Sequence, residues 1–124
     1  MKKTAQERKA AYRRGLFSEY LAAAMLILKG YSILAHRYRC RSGEIDLIAR
    51  RGKVLVFVEV KNRKKLSDAL EAIGANSRRR IVKAAKSFAS GAPQISNLTQ
   101  RFDVVAFYFP FFIRHIENAW FAED

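Results

Sequence analysis

The run Val54-Leu55-Val56-Phe57-Val58-Glu59-Val60-Lys61 constrains the fold more than any other stretch of the chain. As a strand it places Val54, Val56, Val58 and Val60 on one face and Leu55 and Phe57 on the other, because residues two apart share a face. A strand that is apolar on both faces belongs at the centre of a sheet with helices on both sides. Towards its end the Leu55/Phe57 face becomes Glu59 and Lys61. Charges at the end of a buried strand are expensive to keep unless they bind something.

The stretch before it, Gly43-Glu44-Ile45-Asp46-Leu47-Ile48-Ala49, reads as a second strand, with Arg50-Arg51-Gly52-Lys53 as a hairpin turn containing glycine. Glu44 and Asp46 share a face of it. Once the two strands pair, the carboxylates of Glu44, Asp46 and Glu59 and the ammonium of Lys61 converge on one patch. That combination points to a divalent-metal site for cutting a phosphodiester. Asp46 and Glu59, with the Val60 carbonyl between Glu59 and Lys61, offer hard oxygen ligands to Mg²⁺ or Mn²⁺. Lys61 would orient the attacking water or hold the phosphate, and Glu44 or Glu19 would complete the carboxylate set.

The rest of the chain supplies the covers for such a sheet. Thr4-Ala5-Gln6-Glu7 has the capping-box pattern, and residues 1–14 are expected as a basic helix or arm ending near Gly15, ahead of a single domain over 15–124. From Leu16, Phe17, Tyr20, Leu21, Ala24, Met25 and Leu28 recur at helical spacing and predict a core-facing stripe. Glu19, on its flank, reads on its own as an ordinary exposed helix residue. Tyr31 to Ala35 predicts a short strand. In the basic segment that follows, Arg37, Arg39 and Arg41 would line up on one side of an extended chain, which suits phosphate contact.

Beyond the central strand, Asn62-Arg63-Lys64-Lys65 reads as a basic loop, with Ser67 or Asp68 capping a helix whose Leu70 and Ile73 face inwards. Ser77 is a second candidate cap. Ile81, Val82, Ala85, Phe88 and Ala89 then make a helical stripe ringed by Arg78, Arg79, Arg80, Lys83 and Lys86. After a loop over 90–100, Arg101 to Tyr108 predicts a strand stopped by Pro110, and Phe112 to Glu117 a last strand. Trp120 and Phe121 close the chain as core cover or partner surface. The order α-β-β-β-α-β-β implies an α/β sandwich with a central mixed β-sheet flanked by helices.

Charge narrows the partner. The 124 residues carry 24 Lys and Arg against 11 Asp and Glu, a formal charge of +13, so a polyanion is the first expectation. Arg37, Arg39, Arg41, Arg63, Lys64, Arg78, Arg79, Arg80 and Lys83 are the candidate contacts. The single cysteine, Cys40, leaves no disulfide or Cys/His zinc pattern. The apolar run Leu21 to Leu28 is too short to span a bilayer. A cytoplasmic protein with no membrane partner is expected. No GxSxG, HExxH or P-loop competes with the acidic motif, and His36 and His115 stand isolated in sequence.

Gly43-Glu44-Ile45-Asp46-Leu47-Ile48-Ala49 together with Phe57-Val58-Glu59-Val60-Lys61-Asn62-Arg63 resembles the YraN-like family of uncharacterised bacterial proteins. The likeness extends to Gly15 through Glu19, Gly30-Tyr31, Arg101-Phe102-Asp103 and His115-Ile116-Glu117-Asn118-Ala119. That family is assigned to the PD-(D/E)xK, restriction-endonuclease-like superfamily. The resemblance implies a restriction-endonuclease-like α/β sandwich with Glu19, Asp46, Glu59 and Lys61 in the active-site positions, and a more distant relation to Holliday-junction resolvases. This chain departs at Arg37, where the family commonly has Asn, and near Ser77, where the extra cation is Arg78.

Two functions follow as expectations. One is a Mg²⁺- or Mn²⁺-dependent endonuclease on DNA, branched or otherwise structured, for which a homodimer would suit the cutting of both strands. The other is a nucleic-acid-binding protein that keeps the fold without catalysis. A third, a basic adaptor for a protein or membrane partner, would use Phe109, Phe111, Phe112 and Trp120.

Overall fold

The computed structural model describes residues 4–108, 111–120 and 122; the expectations for Phe109, Pro110 and Phe121 lie outside them. Helix α1 spans Ala5–Leu28, and strands β1, β2 and β3 span Ser32–Cys40, Gly43–Arg51 and Val54–Arg63. Helices α2 (Leu66–Glu71), α3 (Ala75–Ala89) and the short α4 (Pro93–Ser96) follow, then β4 (Thr99–Tyr108) and β5 (Phe112–Trp120). The five strands form one sheet in the order β1-β2-β3-β4-β5. Only β3–β4 is parallel; the other neighbours are antiparallel. This is the expected mixed sheet, with β3 at its centre.

The alternation along β3 decides the layers. Val56 and Val58 pack with Leu47, Ala49 and Val105 beneath Ala22 and Leu26 of α1. Leu55 and Phe57 pack with Ile48, Phe102 and Val104 beneath Ile81, Ala84 and Ala85 of α3 and Ala69 of α2. Gly52, at φ +60°, supplies the left-handed turn that returns β2 into β3.

Three local expectations are corrected. First, α1 is one helix: Thr4 Oγ1 accepts the Glu7 N–H at 3.1 Å, and the helix continues through Gly15 to Leu28. The interruption expected near Gly15 does not occur. Second, α1 is turned away from its expected stripe. Phe17, Tyr20, Leu21 and Leu28 are exposed, and Ser18, Glu19, Ala22 and Leu26 are buried. Small side chains at 18 and 22 let the helix lie against the sheet, and they carry the neighbouring Glu19 inwards with them. Third, β1 continues through the basic segment to Cys40, and β3 runs on to Arg63. Among smaller differences, Leu70 is exposed, and Lys65 and Gly74 occupy the N-cap positions of α2 and α3 without a side-chain cap. Trp120 is buried against Phe102, its ring stacked at 5.4 Å, so it is core cover and not partner surface.

Candidate active site

The hydrogen-bonded pairing of β2 with β3 runs from Arg51↔Val54 to Leu47↔Val58. Just beyond it, two backbone N–H groups go to carboxylates. Val60 N–H donates to Asp46 Oδ2 at 2.8 Å, and Asp46 N–H reaches Glu59 Oε1 at 3.4 Å. Asp46 and Glu59 thus each bind the backbone of the strand opposite, at the point where β2 and β3 part. Glu59 is only 8% exposed. Lys61 Nζ stands 4.0 Å from Glu59 Oε2, a loose pair with its side chain 26% exposed.

The electrostatics are unfavourable to the two acids. Burial pushes the Asp46 carboxyl above the ordinary carboxylate range, and the charge of Glu19 adds to it; the Val60 N–H pulls the other way. Burial also raises Glu59, reinforced by the charge of Asp46 and opposed by Lys61. Each acid receives too little positive partnership to offset its lost hydration.

Glu19, which read on its own as an exposed helix residue, is buried on α1 and its charge acts on both acids. It is clamped: Arg37 Nε donates to Oε1 at 2.9 Å, Arg37 Nη2 to Oε2 at 3.2 Å, and His36 Nε2 donates to Oε1 at 2.8 Å. Consecutive residues reach one carboxylate because Arg37 has φ +56°. That left-handed conformation is uncommon for a bulky residue and costs about 1–3 kcal/mol. It also switches the strand's faces: His36 contacts Tyr20 of α1, whereas Tyr38 packs on Phe88 of α3. Arg37 therefore does not align with Arg39 and Arg41 as expected, and its guanidinium is committed to Glu19. Sequence reasoning missed His36 and Arg37 as holders of Glu19, because their partner lies on another element, 17 and 18 residues away in sequence.

Glu44 stays outside the cluster. Its carboxylate is 41% exposed and lies 3.5 Å from Arg39, although its charge still bears weakly on Asp46. A hollow of ≈ 270 Å³ opens beside Lys61. It is lined by Arg14, Gly15, Ser18 and Glu19 of α1 and by Val60, Lys61, Asn62 and Arg63 of β3. Neither Asp46 nor Glu59 lines it. Asn62 donates to Ser18 Oγ at 2.9 Å and ties the end of β3 to α1.

Of the expected polyanion contacts, Arg39, Arg41, Arg63, Lys64, Arg79, Arg80 and Lys83 are exposed. Arg79, Arg80 and Lys83 line a second hollow of ≈ 330 Å³ with Ser42 and Asn76. Gly43 sits against Arg80 there, where a Cβ would come within 3.3 Å. Arg78 is partly turned inwards and donates to the Ile73 carbonyl at 3.2 Å.

Among the described residues, no group of three or more His, Cys, Asp or Glu stands ready to hold a metal ion. The expected donor set is Asp46, Glu59 and the Val60 carbonyl, of which the Asp46 and Glu59 carboxylates meet at the parting of β2 and β3. Its chemistry fits a hard divalent cation that keeps much of its water. The charge of Asp46 raises the proton affinity of Glu59, and a cation beside both carboxylates would offset that repulsion.

Residues 18–107 match the sequence model of the uncharacterised protein family UPF0102. A UPF0102 protein of Mesorhizobium japonicum is 53% identical over 117 residues, 94% of each chain. Another, of Chelativorans sp., is 47% identical over 115 residues, 93% of each chain. A third, of Rhizobium etli, is 46% identical over 113 residues, 91% of this chain and 93% of its own.

Proposed function

For a chain that belongs to the uncharacterised family UPF0102, we propose a divalent-metal-dependent nuclease that hydrolyses phosphodiester bonds in DNA, branched or otherwise structured. One observation carries the reading: half-buried Asp46 and buried Glu59 meet with Lys61 beside them where β2 and β3 separate, and the charge of Asp46 opposes that of Glu59. The resemblance of these motifs to the PD-(D/E)xK superfamily supports it.

Asp46, Glu59 and the Val60 carbonyl would hold Mg²⁺ or Mn²⁺. Bound there, the cation supplies the Lewis acidity and charge neutralisation that phosphodiester hydrolysis requires. Lys61 is the mobile cation of the site, held loosely enough by Glu59 to turn to a phosphate oxygen or to the attacking water. Arg37 and His36 fix Glu19, which sets the negative field behind Asp46 and Glu59. The exposed cations Arg39, Arg41, Arg63, Lys64, Arg79, Arg80 and Lys83 attract and orient the DNA backbone.

The test is a panel of junction, flap, duplex and single-stranded DNA with Mg²⁺ or Mn²⁺. Cleavage should stop with chelator, and Asp46→Asn or Lys61→Ala should lower it by about a hundredfold or more while DNA binding persists. Binding without cleavage on every substrate would overturn catalysis. It would favour the second reading, a nucleic-acid-binding protein that keeps the fold, which the formal charge of +13 supports without catalysis.

A further inference from the structure

The face of the sheet that carries Glu59 and Lys61 continues across β4 and β5. Strand register sets Lys61 beside Ala106 and Ala106 beside Arg114. One step further out, Arg63 lies beside Tyr108 and Tyr108 beside Phe112. Register partners share a face, and neighbouring strands lie about 4.8 Å apart. By register, Lys61, Arg63, Tyr108, Phe112 and Arg114 thus occupy neighbouring positions within about 10 Å across the sheet, beside the candidate site; the Arg63 guanidinium donates to the Asn62 carbonyl at 2.8 Å.

The aromatic part of this patch is not used by the core. Helix α2 packs on the same face, yet Phe112 remains 54% exposed. The Tyr108 and Phe112 rings stand 5.3 Å apart at 30° to each other. The next residue towards the turn, Phe111, is 98% exposed. The half-buried Tyr108 ring and the exposed Phe112 ring, bordered in register by Arg63 and Arg114, suit a ligand that presents flat apolar surface and negative charge together. A nucleotide out of the double helix has that chemistry; a base within a duplex hides its faces in the stack.

We propose that Tyr108 and Phe112 form a stacking platform for an unpaired base of the nucleic acid, with Arg63 and Arg114 on its phosphates. The inference rests on the nuclease reading for its choice of ligand, and it deepens that reading by naming the substrate: DNA with a single-stranded segment adjoining a duplex. The stacking is independent of catalysis, so it can be measured as binding.

The experiment is fluorescence anisotropy in chelator. The probes are a labelled blunt duplex and the same duplex extended by a single-stranded oligo-dT arm. The full chain should bind the armed duplex about tenfold more tightly than the blunt one. Phe112→Ala should remove most of that preference and leave blunt-duplex affinity within about twofold, because its charges are intact. Phe112→Tyr, which keeps a ring, should restore it. Equal affinity of the unaltered chain for both probes overturns the proposal. So does a preference that survives Phe112→Ala, or a Phe112→Ala loss that falls equally on both probes and is not rescued by Phe112→Tyr. An arm preference that depends on Phe112, in a protein that never cuts, upholds the platform and sinks catalysis. Cleavage with no arm preference does the reverse.

Discussion

Two buried carboxylate clusters sit on adjacent strands and are treated in opposite ways. Asp103 on β4 is register partner to Val58, the residue before Glu59. It is completely buried. Arg101 donates to it through Nε and Nη2, each at 2.9 Å, and the Asn118 N–H donates at 2.9 Å. His115 Nε2 donates at 2.7 Å. Lysine has no acceptor, so the Lys29 ammonium at 2.8 Å must donate to His115 Nδ1. That leaves the ring proton on Nε2, the nitrogen that faces Asp103. Burial opposes the charge of Asp103, but these donors outweigh it and hold its carboxyl below the ordinary range.

Asp46 and Glu59 receive one backbone N–H each, plus a loose lysine, and both are pushed up. A satisfied buried acid is part of the architecture, whereas an underpaired one is kept at a cost in stability, as the proposed site requires.

The comparison breaks most visibly at Asp103. Asp103→Ala should destabilise the fold by about 3–5 kcal/mol, since Arg101 would lose its buried partner. Urea unfolding would check it, and a loss near zero would erase the contrast. The other cluster should respond with the opposite sign. Asp46→Asn keeps an acceptor for the Val60 N–H, and Glu59→Gln keeps one for the Asp46 N–H, but each removes a charge. Either should stabilise the cation-free protein at neutral pH by on the order of 1 kcal/mol.

The same opposition should appear with pH. The folded-state pKa of Asp103 is lowered, so the stability it contributes is present above the unfolded value and is lost as pH falls through the folded one. Asp46 and Glu59 are raised, so the folded chain binds more protons than the unfolded one. Stability then declines as pH rises from the ordinary carboxylate range through the raised values. In the double variant Asp46→Asn, Glu59→Gln, the decline towards neutrality should vanish while the acid-side loss remains. Denaturation midpoints in chelator across that range would read both arms.

The smallest effect separates clamped from free cations. Arg80→Ala should reduce the salt slope of DNA binding by about one unit, and Arg37→Ala should leave it unchanged. A slope lost at Arg37 would mean that it holds DNA and not Glu19.

What was legible in the sequence was whatever rested on a period of two. The double apolar faces of β3, the charges at its end and the Gly52 turn were plain because strand geometry ties spacing to facing. The orientation of α1 was not. Its apolar residues occur around much of the helix, and the helical spacing of Phe17, Tyr20, Leu21, Ala24, Met25 and Leu28 predicts a core face that the fold leaves largely exposed. The buried side is chosen instead by small residues at 18 and 22 and by the tertiary partners of Glu19, none of which spacing encodes. Arg37 was misplaced because one left-handed residue breaks the alternation that the arginine spacing assumes. His115 read as isolated because its partners, Asp103 and Lys29, meet it only across the fold.

The most direct test of the central claim is thermal unfolding with increasing Mn²⁺, for the unaltered chain and for Glu59→Gln. A cation held by Asp46 and Glu59 binds only the folded state, so the midpoint of the unaltered chain should climb with concentration. The Glu59→Gln midpoint should start higher in chelator and climb far less. An unaltered chain that does not respond to Mn²⁺, or a variant that responds equally, would contradict the claim that this acid pair is kept underpaired to hold a cation.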